Sequence, residues 1–171
     1  MRTFSAGAYL LSDARLEVRL IYTGFLVLAV IGFATMAALQ LGHIGPTAAD
    51  IAAYYHGGER AGAMMFAKTF RELVEVTHFH AFIMGIVYLV LAHLLIATTA
   101  SLRVKQTAIV GGFVGLAGDM LGVWAIRYLS PAFAYLQIVF WLVEWASFVA
   151  FVYYPVREMW FRVVDDDIPP E

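Results

Sequence analysis

The side chains of this chain that could do chemistry are ionisable groups set inside long apolar runs, where a charge is costly and needs a partner, a cavity or a task. His43 closes the first run. Glu72, Glu75, His78, His80 and His93 belong to the second, Asp119 lies within the third, which ends at Arg127, and Gln137 and Glu144 lie in the fourth. Most of them gather toward one end of the runs. Asp119 lies eight positions before Arg127, roughly 12 Å deeper at 1.5 Å per residue, and Glu144 falls near the middle of its run.

Three chemistries fit these residue types. A b-type haem needs two neutral imidazoles from different helices in apolar surroundings; His43 with His78 or His80 would supply one pair, and His93 would mark a second site. A non-haem metal would take mixed imidazole and carboxylate ligands, here His43, Glu75, His78 and Asp119, and Glu75 and His78 have the Glu-x-x-His spacing of helical di-iron sites. A quinone site would use a histidine and carboxylates to exchange protons with the headgroup, with Glu75, Asp119 and Glu144 as proton-handling groups and Trp124, Trp141 and Trp145 beside the ring. The plainer expectation is a cofactor-free subunit in which the histidines hydrogen-bond between helices and Asp119 pairs with Arg127 or His78.

Helical phase sorts these residues. Positions 75, 78, 82, 85, 89 and 93 are spaced by three or four, so Glu75, His78, Gly85 and His93 share one stripe, and His80, about 200° from His78, points elsewhere. Gly111, Gly115, Gly118 and Gly122 form a small-residue stripe on the third run, which lets another helix or a flat macrocycle approach closely. Gly32, Met36, Gln40 and His43 share a face of the first run, and Gln137, Trp141 and Glu144 a face of the fourth. A bundle with all four stripes turned inward is the expected arrangement.

The elements that must position these groups are membrane spans. Of the 171 residues, 62 % are hydrophobic and 14 % charged, against roughly 25 % charged in soluble proteins, and the mean hydropathy is +0.77. A water-soluble globule is excluded. Four runs reach bilayer length, Leu20 to Leu41, Val76 to Ala100, Thr107 to Leu129 and Ala132 to Tyr154, and none alternates like a barrel strand. The predicted fold is an all-α integral membrane four-helix bundle, with residues 20–160 as one four-span domain. Residues 1–19 read as an interfacial, partly helical segment without a cleavage site, and residues 161–171 as an acidic cytoplasmic tail. Between spans 1 and 2, Pro46-Thr47-Ala48-Ala49-Asp50 starts a short extracytoplasmic helix that Gly57-Gly58 ends, with Tyr54, Tyr55 and His56 as interfacial anchors.

Lys and Arg number seven on the side of the two termini and the 101–106 turn, and four on the other. The positive-inside rule therefore predicts a multi-pass bacterial inner-membrane protein with N and C termini in the cytoplasm. A net charge of −2 and the lack of a basic cluster argue against nucleic acid as a partner. With no cysteine, disulfides, iron–sulfur clusters and thiolate metal sites are excluded.

The stretch from Phe70 to Phe82, which contains Glu-Leu-Val-Glu-Val-Thr-His-Phe-His, together with Arg127-Tyr128-Leu129-Ser130-Pro131-Ala132-Phe133-Ala134-Tyr135, resembles an uncharacterised family of four-span bacterial inner-membrane proteins. The resemblance runs from about Arg19 to Trp160. It implies the architecture and the membrane and carries over no catalytic residues. The function expected from the residues themselves is a membrane subunit of a redox or respiratory complex that contacts lipid and other subunits. It would hold haem or another metal near the periplasmic face and handle electrons or quinol. The alternative is the cofactor-free accessory subunit, whose buried polar residues fix packing and partner contacts. Enzymatic activity of its own is not argued by any motif.

Overall fold

The computed structural model describes residues 9–60 and 62–161. Its elements are α1 (Leu16–Leu39), extended by a π turn at Gln40–Ile44; α2 (Ala48–His56); a hairpin of β1 (Gly58–Arg60) and β2 (Ala63–Met65); and the long helices α3 (Phe70–Ile96), α4 (Leu102–Tyr128) and α5 (Phe133–Trp160). Four of these, α1 with its π turn, α3, α4 and α5, are long and apolar enough to cross a membrane. At 1.5 Å per residue, 27 residues reach about 40 Å, more than the ~30 Å hydrocarbon core. The chain is a multi-pass membrane protein built as an all-α bundle.

Helices α3 and α4 begin earlier than apolarity alone predicts because their polar caps lie outside the apolar runs. Thr69 accepts from the N–H of Glu72 while Glu72 returns a bond to the N–H of Thr69, a capping box that starts α3 at Phe70 rather than Val76. Ser101 accepts from the N–H of Val104 and starts α4 at Leu102. Thr47 and Asp50 form the same box at α2. The short hairpin was not predicted; β1 and β2 pair antiparallel from Gly58 opposite Met65 to Arg60 opposite Ala63. Gly57, at φ 90°, turns the chain out of α2, and a side chain there would also meet the backbone of Ala67.

The tightest pair is α4 with α5, and the glycine stripe is the reason. A Cβ at Gly115 would meet the backbone N of Glu144 at 2.9 Å and its Cα at 3.0 Å; one at Gly118 would strike Phe140, and one at Gly122 would strike Gln137. The stripe therefore serves close helix packing, not a macrocycle. Tyr88, Leu91 and Leu95 of α3 join Phe148 and Phe151 of α5 in the main core. By contrast α1 buries only Leu26 within its 24 residues, and its contact with the rest is carried partly by Phe33 stacked on Phe148 at 3.8 Å.

At the bundle end that carries the α1 start and the α5 finish, the segment predicted as interfacial is tied in. Leu11, 1 % exposed, donates its N–H to Ala97 O at 2.9 Å, and Arg19 donates to the carbonyls of Ser12, Ala14 and Met159 at 2.6–2.8 Å. Residues 1–8 of that segment, and residues 162–171 with the predicted acidic tail, lie outside the described residues.

Candidate functional site

At the opposite end, under α2, a cavity of about 340 Å³ opens between α1, α2, α3 and α4. Small-molecule pockets start at about this size. Its wall includes His43 from the π turn of α1, Tyr54 and Tyr55 from α2, Glu75 and His80 from α3, and Asp119 from α4, with Trp141 of α5 behind. Four of the residues singled out in the sequence, His43, Glu75, His80 and Asp119, thus share one wall.

His80 is the best prepared of them. Its Nδ1 lies 2.9 Å from Val76 O, and a carbonyl only accepts, so Nδ1 carries a hydrogen and, in the neutral tautomer, the lone pair is on Nε2. Asp119 accepts from Trp141 Nε1 at 2.6 Å and from Gln137 Nε2 at 2.5 Å; the predicted partners Arg127 and His78 are not used. Arg127 instead donates Nε to Lys68 O at 2.8 Å, which ties the end of α4 to the loop before α3. Glu75 stands at the rim, held by Arg71 at 2.7 Å. The His43 ring meets Tyr54 edge-on at 5.4 Å.

The loop groups around the mouth have settled charges. Burial pushes the Tyr55 phenol well above the usual tyrosine value, and the charge of Asp119 adds to it, so Tyr55 remains a neutral hydroxyl. Burial works against the charge of Lys68, but its hydrogen bond to Glu72 and the nearby Tyr54 outweigh it, and its pKa is raised. Thr47 holds the Asp50 carboxyl below its ordinary value, with Arg60 adding to the effect, and Arg60 also donates to His43 O at 2.6 Å. Helix α2 and the hairpin are thereby latched to the end of α1.

The other sequence candidates are placed elsewhere. The stripe of Glu75, His78, Phe82 and His93 was expected to face inward; His78, Phe82 and His93 are exposed, and the inward face of α3 carries Leu73, Thr77, His80, Met84 and Tyr88. The His78 ring meets that of Phe82, one turn on, at 5.1 Å, and His93 bonds its own helix at Leu89 O. The pair His43 and His78 is therefore not assembled on one cavity. Lipid gives no hydrophobic preference between the two faces; the buried one is that on which Tyr88, Leu91 and Leu95 pack against Phe148 and Phe151 and Tyr88 donates to Glu144. Glu144, 1 % exposed, lies one turn beyond Trp141 and accepts from Tyr88 Oη at 3.0 Å. Among the described residues no group of three or more His, Asp and Glu is placed to hold a metal ion.

Three wall residues, Gln40, Tyr54 and Tyr55, have no role in chemistry in the sequence reading. Gln40, 5 % exposed, borders the cavity and its Oε1 has no partner among the described residues. Tyr54 and Tyr55 were read only as anchors. The signal for Gln40 was present: a polar side chain one turn before His43 on an otherwise apolar helix.

An α-helical membrane bundle with a polar cavity under one end defines the class. Residues 45–165 match the family described as a transmembrane helical domain, Aq_1264_TM, and since the match covers more than half of the chain, the protein belongs to that family. No curated protein and no solved structure matches the chain.

Proposed function

We propose that this chain is a membrane subunit of a bacterial redox or respiratory complex and that the cavity under α2 binds the headgroup of a quinol. The observation that carries the reading is His80: an imidazole with Nδ1 committed to Val76 O, on the wall of a cavity that also holds Asp119, Glu75, His43 and a neutral Tyr55. A quinol hydroxyl donates to the free Nε2 of His80, and Tyr55 is a hydroxyl donor to the oxygen of the oxidised ring. A bound quinol has His80 and the carboxylates as acceptors for its two protons, and its two electrons would go, one at a time, to a haem or metal centre of a partner subunit. A haem or metal at this site would draw first on His43 and His80. By the positive-inside rule, the α2 end faces the periplasm and both termini face the cytoplasm.

One observation favours the accessory reading instead: Asp119 already accepts from two α5 side chains, so it also fastens α4 to α5. Binding of decylubiquinone to the purified protein, followed by quenching of tryptophan fluorescence, separates the two. The quinol reading expects saturable quenching that weakens at least tenfold, about 1.4 kcal/mol, in His80→Ala and is unchanged in His78→Ala and His93→Ala. Absence of saturable binding by the wild type sinks it. A reducible b-type absorption spectrum lost in His80→Ala would replace it with the haem reading.

A further inference from the structure

The cavity under α2 has a neighbour. Between α1 and α3 lies a cleft of about 430 Å³, walled by Leu28 and Gly32 of α1 and Ile83 and Val87 of α3, with Phe33 and Phe148 also on its lining. Met36, Leu39 and His80 border both spaces. The cleft is apolar but for Thr35 and His80, whereas the cavity sets Gln40, His43, Glu75 and Asp119 into a wall that is still largely apolar, and three side chains are common to both. The cleft exists because α1 packs little; Gly32 leaves open space, and a Cβ there would meet nothing within 4 Å.

We propose that this cleft holds the hydrocarbon tail of the amphiphile whose head occupies the cavity, so that the site is loaded sideways from the bilayer. The identity of the head rests on the quinol reading above. An apolar cleft beside a cavity that carries the polar side chains, with Met36, Leu39 and His80 on both linings, suits a molecule with one long chain and one hydroxylated ring. Charge favours a neutral head: the one lysine of the wall, Lys68, is already paired with Glu72, and Glu75 at the rim with Arg71, which leaves the phosphate of an ordinary lipid little to hold it. Gln40 adds a buried amide oxygen on the same wall that has no partner among the described residues, suited to accept from a hydroxyl.

The test compares two probes on the full-length protein in detergent, with concentrations expressed per detergent phase: decylubiquinone, and the same dimethoxy-methyl-benzoquinone ring without a tail. The wild type is expected to bind the tailed probe at least tenfold more tightly. Gly32→Phe fills the cleft and should erase that preference while leaving the bare ring's binding unchanged; Ile83→Trp, from the opposite wall, repeats the test should the first variant fail to fold. Equal binding of both probes by the wild type, or a tail preference that survives both folded variants, overturns the tail site and leaves the headgroup reading standing. If neither quinone binds, the lipid retained on the purified protein decides by mass spectrometry. An amphiphile held by the wild type and lost from Gly32→Phe supports the cleft and overturns the quinol head; no retained amphiphile overturns both.

Discussion

Two positions along an α-helix amount to a rotation of about 200°, and that rotation decides which of His78 and His80 meets the cavity. Their sequence context is nearly the same, yet one ring is exposed and the other borders the polar wall with its tautomer set by Val76 O. The mouth of the cavity depends on single residues in the same way. Asp50 completes the cap of α2 and bridges to Arg60 at 3.2 Å, and its folded pKa lies below the ordinary 3.8. A carboxyl lowered on folding contributes stability that is fully present above the unfolded value and is lost as pH falls through the folded one. The latch should therefore be constant between pH 5 and 8 and weaken only below 3.8. Asp50→Asn, which cannot carry the charge, should loosen it at neutral pH, read as faster hydrogen exchange in residues 48–56 of the variant than of the wild type. Equal exchange in both proteins at pH 7 would refute the assignment.

Among the elements, α4 and α5 are the fixed pair and α1 the loose one. Glycines at 111, 115, 118 and 122 bring α4 within backbone contact of α5, and this contact is what aligns Gln137 and Trp141 with Asp119. Gly115→Ala places a methyl against the Glu144 backbone, which cannot swing aside as a side chain can. A loss of about 1–3 kcal/mol is expected, measurable as a lower unfolding temperature in detergent. Gly85→Ala on α3, where nothing lies within 4 Å of the added carbon, is the control and should melt like the wild type. If both glycines tolerate alanine equally, the close approach of α4 and α5 is not what holds the pair together.

For the whole molecule, the two ends of the bundle do different work. One end is sealed by backbone and carboxylate bonds: Arg19 on three carbonyls, Lys105 on Ile96 O and Thr98 O at 2.8 and 2.6 Å, and Glu158 on Thr99. The other end carries α2, the hairpin and the cavity. The proposed topology sets the sealed end in the cytoplasm. A fluorescent protein fused after Glu171 should then be bright, and alkaline phosphatase inserted between β1 and β2 should be active; the reverse pattern would invert the orientation and move the cavity to the cytoplasmic side.

The number of spans, their helical nature and the short helix near Asp50 were legible in the sequence because they depend on local properties: run length, the need of backbone groups in lipid to bond within their own segment, and cap residues at fixed offsets. Membership of His43, Glu75 and Asp119 in one neighbourhood was also legible, since depth along a helix follows from counting residues. Which face of α3 is buried was not. The stripe of Glu75, His78 and His93 was the expected inward face, and the choice of another fell to the fit of Tyr88, Leu91 and Leu95 against α5, a contact between residues some 60 positions apart. The same holds for the partners of Asp119 and for the gap beside α1: each is a property of how surfaces of separate helices match, and composition and spacing within one segment carry no information about that match.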